Sequence, residues 1–133
     1  MANYAALVSA SNGVEKITVN PIYFAYNEAT ITPEGQNELD KVVLFMKKFP
    51  EVKIKIESHT DSRGKDAYNL KLSDLRAKST MAYLVANQIG AERIVSAIGY
   101  GETRLINACK NGVKCSEEAH LANRRSDFII LNN

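Results

Sequence analysis

The sequence predicts an α+β domain: a two-layer α/β sandwich with a βαβαβ core, a further C-terminal strand, and both helices on one face of a mixed sheet. Three observations predict it. Strand and helix patterns follow one another as strand, helix, strand, helix, strand, loop, strand. The two helical segments are long enough to serve as crossovers between parallel strands. The second strand keeps one charged face, so helices cannot cover both sides of the sheet as in a doubly wound fold.

Taken in order, residues 1–16 are small and polar with no sustained period, which predicts a tail or linker ahead of a domain over 17–133. Ile17 to Tyr26 is rich in β-branched and aromatic residues and is interrupted by Pro21, predicting a strand with an irregular or edge portion. Thr32-Pro33-Glu34 supplies a cap, a first-turn proline and an acidic residue at a helix start. Leu39, Val42, Val43 and Met46 follow at i, i+3, i+4, i+7, so one apolar stripe faces a core. Lys47 and Lys48 suit the last turn, and Pro50 closes the helix.

Glu51 to Ser58 alternates, with Val52, Ile54 and Ile56 on one side and Lys53, Lys55 and Glu57 on a solvated one. From about Asp66 to Gln88 the composition favours a helix, with no internal Gly or Pro, and Gly90 is expected to end it. This helix is apolar nearly all round, so periodicity does not say which face is buried. Ile94 to Tyr100 and Ser126 to Leu131 predict the last two strands, with a polar loop and a short helical candidate around Glu117 to Asn123 between them.

The chain has 133 residues, 45% of them hydrophobic, enough for one domain with an ordinary core. Its 17 basic and 15 acidic residues are interleaved, for a net charge of +2, and offer no basic stripe for nucleic acid. No window approaches the roughly 18 consecutive apolar residues of a membrane span, and Met1 to Gly13 lacks the pattern of an export signal. A cytoplasmic protein and a domain of a larger exported protein would both read this way. Cys109 and Cys115 lie close together in a polar stretch, which points to a small disulfide and an oxidising compartment. With His120 they offer three zinc donors, one short of a closed structural site, so no metal is expected.

Chemistry is best sought in the link from the second strand to the long helix, Ser58-His59-Thr60-Asp61-Ser62-Arg63-Gly64. A loop at the carboxyl end of a strand, leading into a helix, offers free backbone N–H groups. Asn69, Ser73, Arg76 and Thr80 share one helical face, which can carry Arg76 over that loop. Asp61 and Arg76 together would suit a zwitterion, carboxylate to ammonium and guanidinium to carboxylate. Equally, Asp61 could cap a turn and Arg76 pair with it internally. His59 with Asp61 lacks a serine in a nucleophile elbow or a cysteine with a basic partner, so no enzyme and no cofactor are expected.

These residues, with Tyr68-Asn69, Leu72-Ser73, Arg76-Ala77, Gly99-Tyr100-Gly101-Glu102 and Asn123-Arg124-Arg125-Ser126, resemble the OmpA-like peptidoglycan-binding domain. The resemblance runs from about Ile22 to Ile130, and the cysteine loop looks most like the version in Bacteroidetes outer-membrane proteins. It implies a non-enzymatic periplasmic anchor that grips the meso-diaminopimelate of a peptidoglycan stem peptide. Its larger protein would be attached to the outer membrane through a region outside this chain. By position, Asp61 and Arg76 would hold the ligand's charged ends, with Thr60, Asn69, Leu72 and Arg125 around them. The family usually shows Phe-Asp or Tyr-Asp after the first strand, where this chain has Phe24-Ala25. If that Asp acts through its side chain, the site here is altered; if through its backbone, Ala25 changes little. The competing implication is a degenerate copy serving as a protein-interaction scaffold, for instance in a type IX secretion complex.

Overall fold

The computed structural model describes residues 8–11, 14–20, 22, 24, 29–60, 65–101, 114–116 and 125–131. Among the described residues, five strands form one mixed sheet. In chain order the elements are β1 (Val8–Ser11), β2 (Val14–Ile17), α1 (Pro33–Lys48), β3 (Lys53–Ser58), α2 (Asp66–Ala86), a 3₁₀ turn (Ala91–Arg93), β4 (Ile94–Gly99) and β5 (Ser126–Leu131). The spatial order is β1-β2-β5-β3-β4, with β3 parallel to β4 and antiparallel to β5. The C-terminal strand is thus no appendage. It sits between β2 and β3, with Phe128 and Ile130 on the covered face, 0% and 5% exposed.

Two features at the start of the chain depart from the expected order. Strands β1 and β2 pair antiparallel on the sheet's β5 side, where the sequence predicts a tail over 1–16, and Val8 packs against the core. Regular pairing then ends at Ile17, and of the expected Ile17–Tyr26 strand only an isolated bridge between Phe24 and Ile31 follows among the described residues.

Helix α1 begins as its sequence requires. Thr32 Oγ1 accepts the Gly35 N–H at 3.1 Å, Pro33 takes the first helical position, and Glu34 and the Lys47–Lys48 pair sit at the favourable ends of the dipole. Leu39, Val42, Val43 and Met46 are all buried, joined by Phe45, whose ring tilts against Phe49 at 5.0 Å. They pack on Ile54, Ile56, Phe128 and Ile130 in one core shared with Ala77 and Leu84 of α2, so both helices cover the same face.

Helix α2, which periodicity leaves unoriented, turns a mixed polar and small face inward. Its buried residues are Asn69, Leu72, Ser73, Ala77, Thr80 and Leu84, while Leu70, Leu75 and Val85 are 49%, 49% and 41% exposed. Close approach to β4 dictates this choice. A Cβ on Gly99 would stand 2.0 Å from the Asp74 backbone nitrogen and 2.2 Å from the Ser73 carbonyl carbon, so only small residues fit between helix and strand. The buried hydroxyls are satisfied locally: Ser73 donates to the Leu70 carbonyl and accepts the Gly101 N–H, and Thr80 donates to the Arg76 carbonyl.

The same approach protects the open edge of β4. Gly99 N–H donates to Asp74 Oδ1 at 3.1 Å and Lys78 Nζ donates to the Ala97 carbonyl, while Asp74 and Lys78 pair with each other. Two groups that could recruit another strand are therefore occupied by side chains from α2. The helix ends before Gly90. Gln88 takes the left-handed conformation at φ 73°, with Ile89 N–H bonded to Leu84 O and Gln88 N–H to Val85 O. Ile89 and Leu84, 1% and 0% exposed, supply the apolar contact of such a cap.

On the sheet face away from the helices the expected alternation holds only in part. Lys53 is exposed and Lys55 half-buried, but Glu57 is 7% exposed and accepts from the Tyr100 hydroxyl at 3.3 Å.

Candidate functional site

The carboxyl end of β3 is clamped from both sides. His59 N–H donates to the Arg125 carbonyl, Thr60 N–H to the Gly101 carbonyl, and Tyr100 N–H to the Ser58 carbonyl, each at 2.8–2.9 Å. Gly101 has φ 56° and lies under the first turns of α2, where a Cβ would meet the Leu70 backbone at 3.0 Å. The Gly99-Tyr100-Gly101 segment therefore brings α2 down onto the end of the sheet, beside Thr60.

On that side the structure gathers Thr60, Asn69 and Leu72, which are 6%, 6% and 9% exposed. One turn further along α2, Arg76 is half-buried, and its guanidinium carbon lies 4.9 Å from the centre of the Phe24 ring. Phe24 is itself partly buried and packed on the core beside Ile31. Four expected site residues on α2 and the β3 end, with Phe24, thus occupy one side of the sheet. Asp61 and Ala25 lie outside the described residues, as do Cys109, His120 and the helical candidate at 117–123.

Arg125 is placed elsewhere. Ser58 and Ser126 are register partners whose hydroxyls meet at 2.9 Å on the buried side. Strand alternation then sends Arg125 and Asp127 to the opposite face. There Arg125 Nε donates to Asp127 Oδ2 at 3.3 Å, and Lys16 Nζ reaches the same oxygen at 3.3 Å. The Arg125 side chain is therefore turned away from Arg76 and into an ion cluster across the sheet.

His59 completes that cluster. Its side chain is 1% exposed, stacks on Tyr100 with ring centres 5.6 Å apart, and holds Nε2 3.6 Å from Asp127 Oδ2. Among the described residues, neither ring nitrogen has a hydrogen-bond partner within normal distance. Burial alone would raise the Asp127 pKa, but the neighbouring His59 and the charges of Arg125 and Lys16 outweigh it and hold the carboxyl down to about 2. Sequence reading singled out neither Asp127 nor Lys16. The signal was present only as alternation in β5 with an acidic residue at its second position, and Lys16 fell in the presumed tail. Among the described residues no helix is long and apolar enough to cross a membrane.

Curated relatives share this sequence pattern. Outer membrane porin F of Pseudomonas fluorescens is 34% identical over 109 residues, covering 82% of this chain and 32% of the porin. Outer membrane protein P5 of Haemophilus influenzae is 34% identical over 115 residues, covering 85% of this chain and 31% of P5. The chain spans about a third of the length of these relatives.

Solved structures share the fold. A MotB-like protein of Desulfovibrio vulgaris superposes with a TM-score of 0.76 at 24% identity, covering 92% of this chain and 76% of that one. The peptidoglycan-associated lipoprotein of Burkholderia pseudomallei gives 0.69 at 24%, covering 84% and 90%. The cell wall anchor of the type VI secretion system of Pseudomonas aeruginosa gives 0.70 at 23%, covering 97% and 90%. With the match of residues 23–127 to the OmpA family, these findings establish that the chain belongs to that family.

Proposed function

We propose that this domain is a non-catalytic anchor that binds peptidoglycan through the diaminopimelate of its stem peptides, in the periplasm, and so tethers an outer-membrane protein or complex to the cell wall. The observation that carries the reading is the inward-turned polar face of α2. On it Asn69 and Leu72 are buried and Arg76 half-buried, and Thr60, one residue before Asp61 in sequence, is buried at the end of β3. Asp61 would accept from the ligand's ammonium, and Arg76 would take a carboxylate in a bidentate pair. Backbone N–H groups near Asp61 would complete the carboxylate site. Relatives named as outer-membrane proteins, a peptidoglycan-associated lipoprotein and a cell wall anchor support the placement.

One small zwitterion on a surface cleft corresponds to a dissociation constant of about micromolar to millimolar. Many tethered copies facing one polymer hold firmly nonetheless, because each further contact is made at high effective concentration. Acylation of the side-chain amine by a crosslink removes the positive charge, so free stems should bind better than crosslinked ones. A disulfide between Cys109 and Cys115 is part of the proposal and would close a short loop; intact mass before and after reduction with alkylation tests it.

The deciding experiment is NMR or calorimetric titration with a diaminopimelate stem peptide and with its lysine analogue, which lacks the terminal carboxylate. Selective binding of the first, lost in Asp61→Ala and Arg76→Ala with the melting temperature nearly unchanged, is expected. Large destabilisation in Asp61→Ala would instead make that residue a structural cap. The second reading, a protein-interaction scaffold, is favoured by Ala25 at the family's acidic position and by the exposed Leu70 and Leu75 on α2. No binding of either peptide at millimolar concentration would establish a degenerate site and turn the search to a protein partner.

A further inference from the structure

We infer that Phe24 is a positioning residue for Arg76: its ring is a shelf that fixes the plane of the guanidinium and keeps water from one side of it. The inference rests on the proposed carboxylate-binding role of Arg76. An arginine side chain has many rotamers, and ordering it on ligand binding costs free energy that subtracts from affinity. A shelf that orders it beforehand removes part of that cost.

The geometry suits the task. The guanidinium carbon is 4.9 Å from the ring centre, inside the roughly 6 Å range over which a cation is attracted to an aromatic face. A chain of this length is expected to hold about one or two such contacts by chance, so proximity alone decides little. Position decides more. Phe24 is anchored by its antiparallel bridge to Ile31 and by packing on the core, so the ring is a fixed element. Arg76 leaves a helix whose neighbouring turns are locked by Ser73 and Thr80 hydroxyls on the helix backbone. Two supports of the fold therefore meet at the side chain to which the proposed function assigns the carboxylate. By contrast, Lys48 lies 5.9 Å from the ring of its sequence neighbour Phe49, on the exposed last turn of α1, where no site residue is placed.

A guanidinium with one face on a ring still presents its in-plane N–H groups, which are the ones a carboxylate takes in a bidentate pair. The aromatic residue preceding position 25 thus acquires a role that does not depend on an acidic side chain at that position. A pocket with Ala25 can retain its carboxylate selectivity through Phe24.

The test compares Phe24→Leu, which keeps apolar volume against Ile31 without a π face, with Phe24→Tyr, which keeps the ring. Affinity for the diaminopimelate stem peptide is read by titration, and the Arg76 Nε–H signal is read by NMR in the free protein. Phe24→Leu is expected to weaken binding about three- to tenfold and to move the Arg76 signal out of the ring-current field. Phe24→Tyr should restore both. If the wild-type protein binds, Arg76→Ala abolishes binding, and Phe24→Leu binds as wild type, the inference falls while the proposed function stands. If the wild-type protein does not bind, the proposed function falls and takes the inference with it. An Arg76 signal identical in all three proteins overturns the contact itself, whatever the affinities.

Discussion

Replacing Gly99 by alanine should separate α2 from the sheet. The added Cβ would stand 2.0 Å from Asp74 N, 2.2 Å from Ser73 C and 2.5 Å from Asp74 Cα, all backbone atoms that cannot rotate aside. Restoring ordinary contact at 3.4 Å needs a retreat of about 1.4 Å by the helix or the strand. That movement strains the hydrogen bonds from Gly99 N–H to Asp74 and from Gly101 N–H to Ser73, now at 3.1 and 2.8 Å. Overpacking costs typically 1–3 kcal/mol and each of the two weakened bonds about 1 kcal/mol, so a loss of about 3–5 kcal/mol is expected. For a chain of this length that corresponds to a fall of roughly 10–20 °C in melting temperature.

Thermal and urea unfolding measure the loss, and amide shifts of Ser73 and Asp74 report the displacement. Gly90→Ala is the internal control. Its Cβ would meet only the carboxyl end of the Glu92 side chain, which can swing away, and a change within about 0.5 kcal/mol is expected. A Gly99→Ala protein within about 1 kcal/mol of wild type, with unmoved amides at Ser73 and Asp74, would refute the close-approach argument. It would also remove the reason given for the buried polar face of α2.

Two further predictions concern stability elsewhere. Gln88 occupies the left-handed cap position at φ 73°, so Gln88→Gly should stabilise by about 0.5–1 kcal/mol while Gln88→Ala should not, as denaturant midpoints will show. Asp127 is held at a pKa of about 2 against an ordinary 3.8, so its charged form is favoured in the folded state. Its stabilisation is therefore full above the ordinary value and is lost as pH falls from about 5 towards 2. With allowance for solvent screening, about 1–2 kcal/mol is expected to disappear in that window. Asp127→Asn should be less stable than wild type at pH 7 and equal to it near pH 2; an unchanged acid profile in that variant would dissolve the ion cluster as a contributor.

Much of the fold is legible in the chain because its signals are local. The Thr32-Pro33-Glu34 start, the apolar stripe through Met46 and the Ser126–Leu131 strand depend on neighbours within a few residues, and each lies where periodicity places it. The β1–β2 pairing has a local signal too, since the sequence Asn12-Gly13 between Ser11 and Val14 favours a two-residue hairpin connection, although small polar composition reads as a tail. The motif from His59 to Arg76 pointed to the β3 end and to α2, where Thr60, Asn69, Leu72 and Arg76 are found.

Tertiary structure alone decided the rest. A helix apolar on several sides has no hydropathy minimum to orient it, so the facing of α2 follows from the space above Gly99, a residue of another element. The insertion of β5 between β2 and β3 is a choice among pairings that leave its own alternation unchanged. Arg125 belongs to the Asn123–Ser126 part of the family pattern, yet alternation about the Ser58–Ser126 pair carries it across the sheet to Asp127 and Lys16. The contact of Phe24 with Arg76 joins residues 52 positions apart and arises because packing brings a bridge segment under a helix. Sequence determined which local elements form and which residue types gather at the β3 end; packing density and strand register determined which side chains face one another.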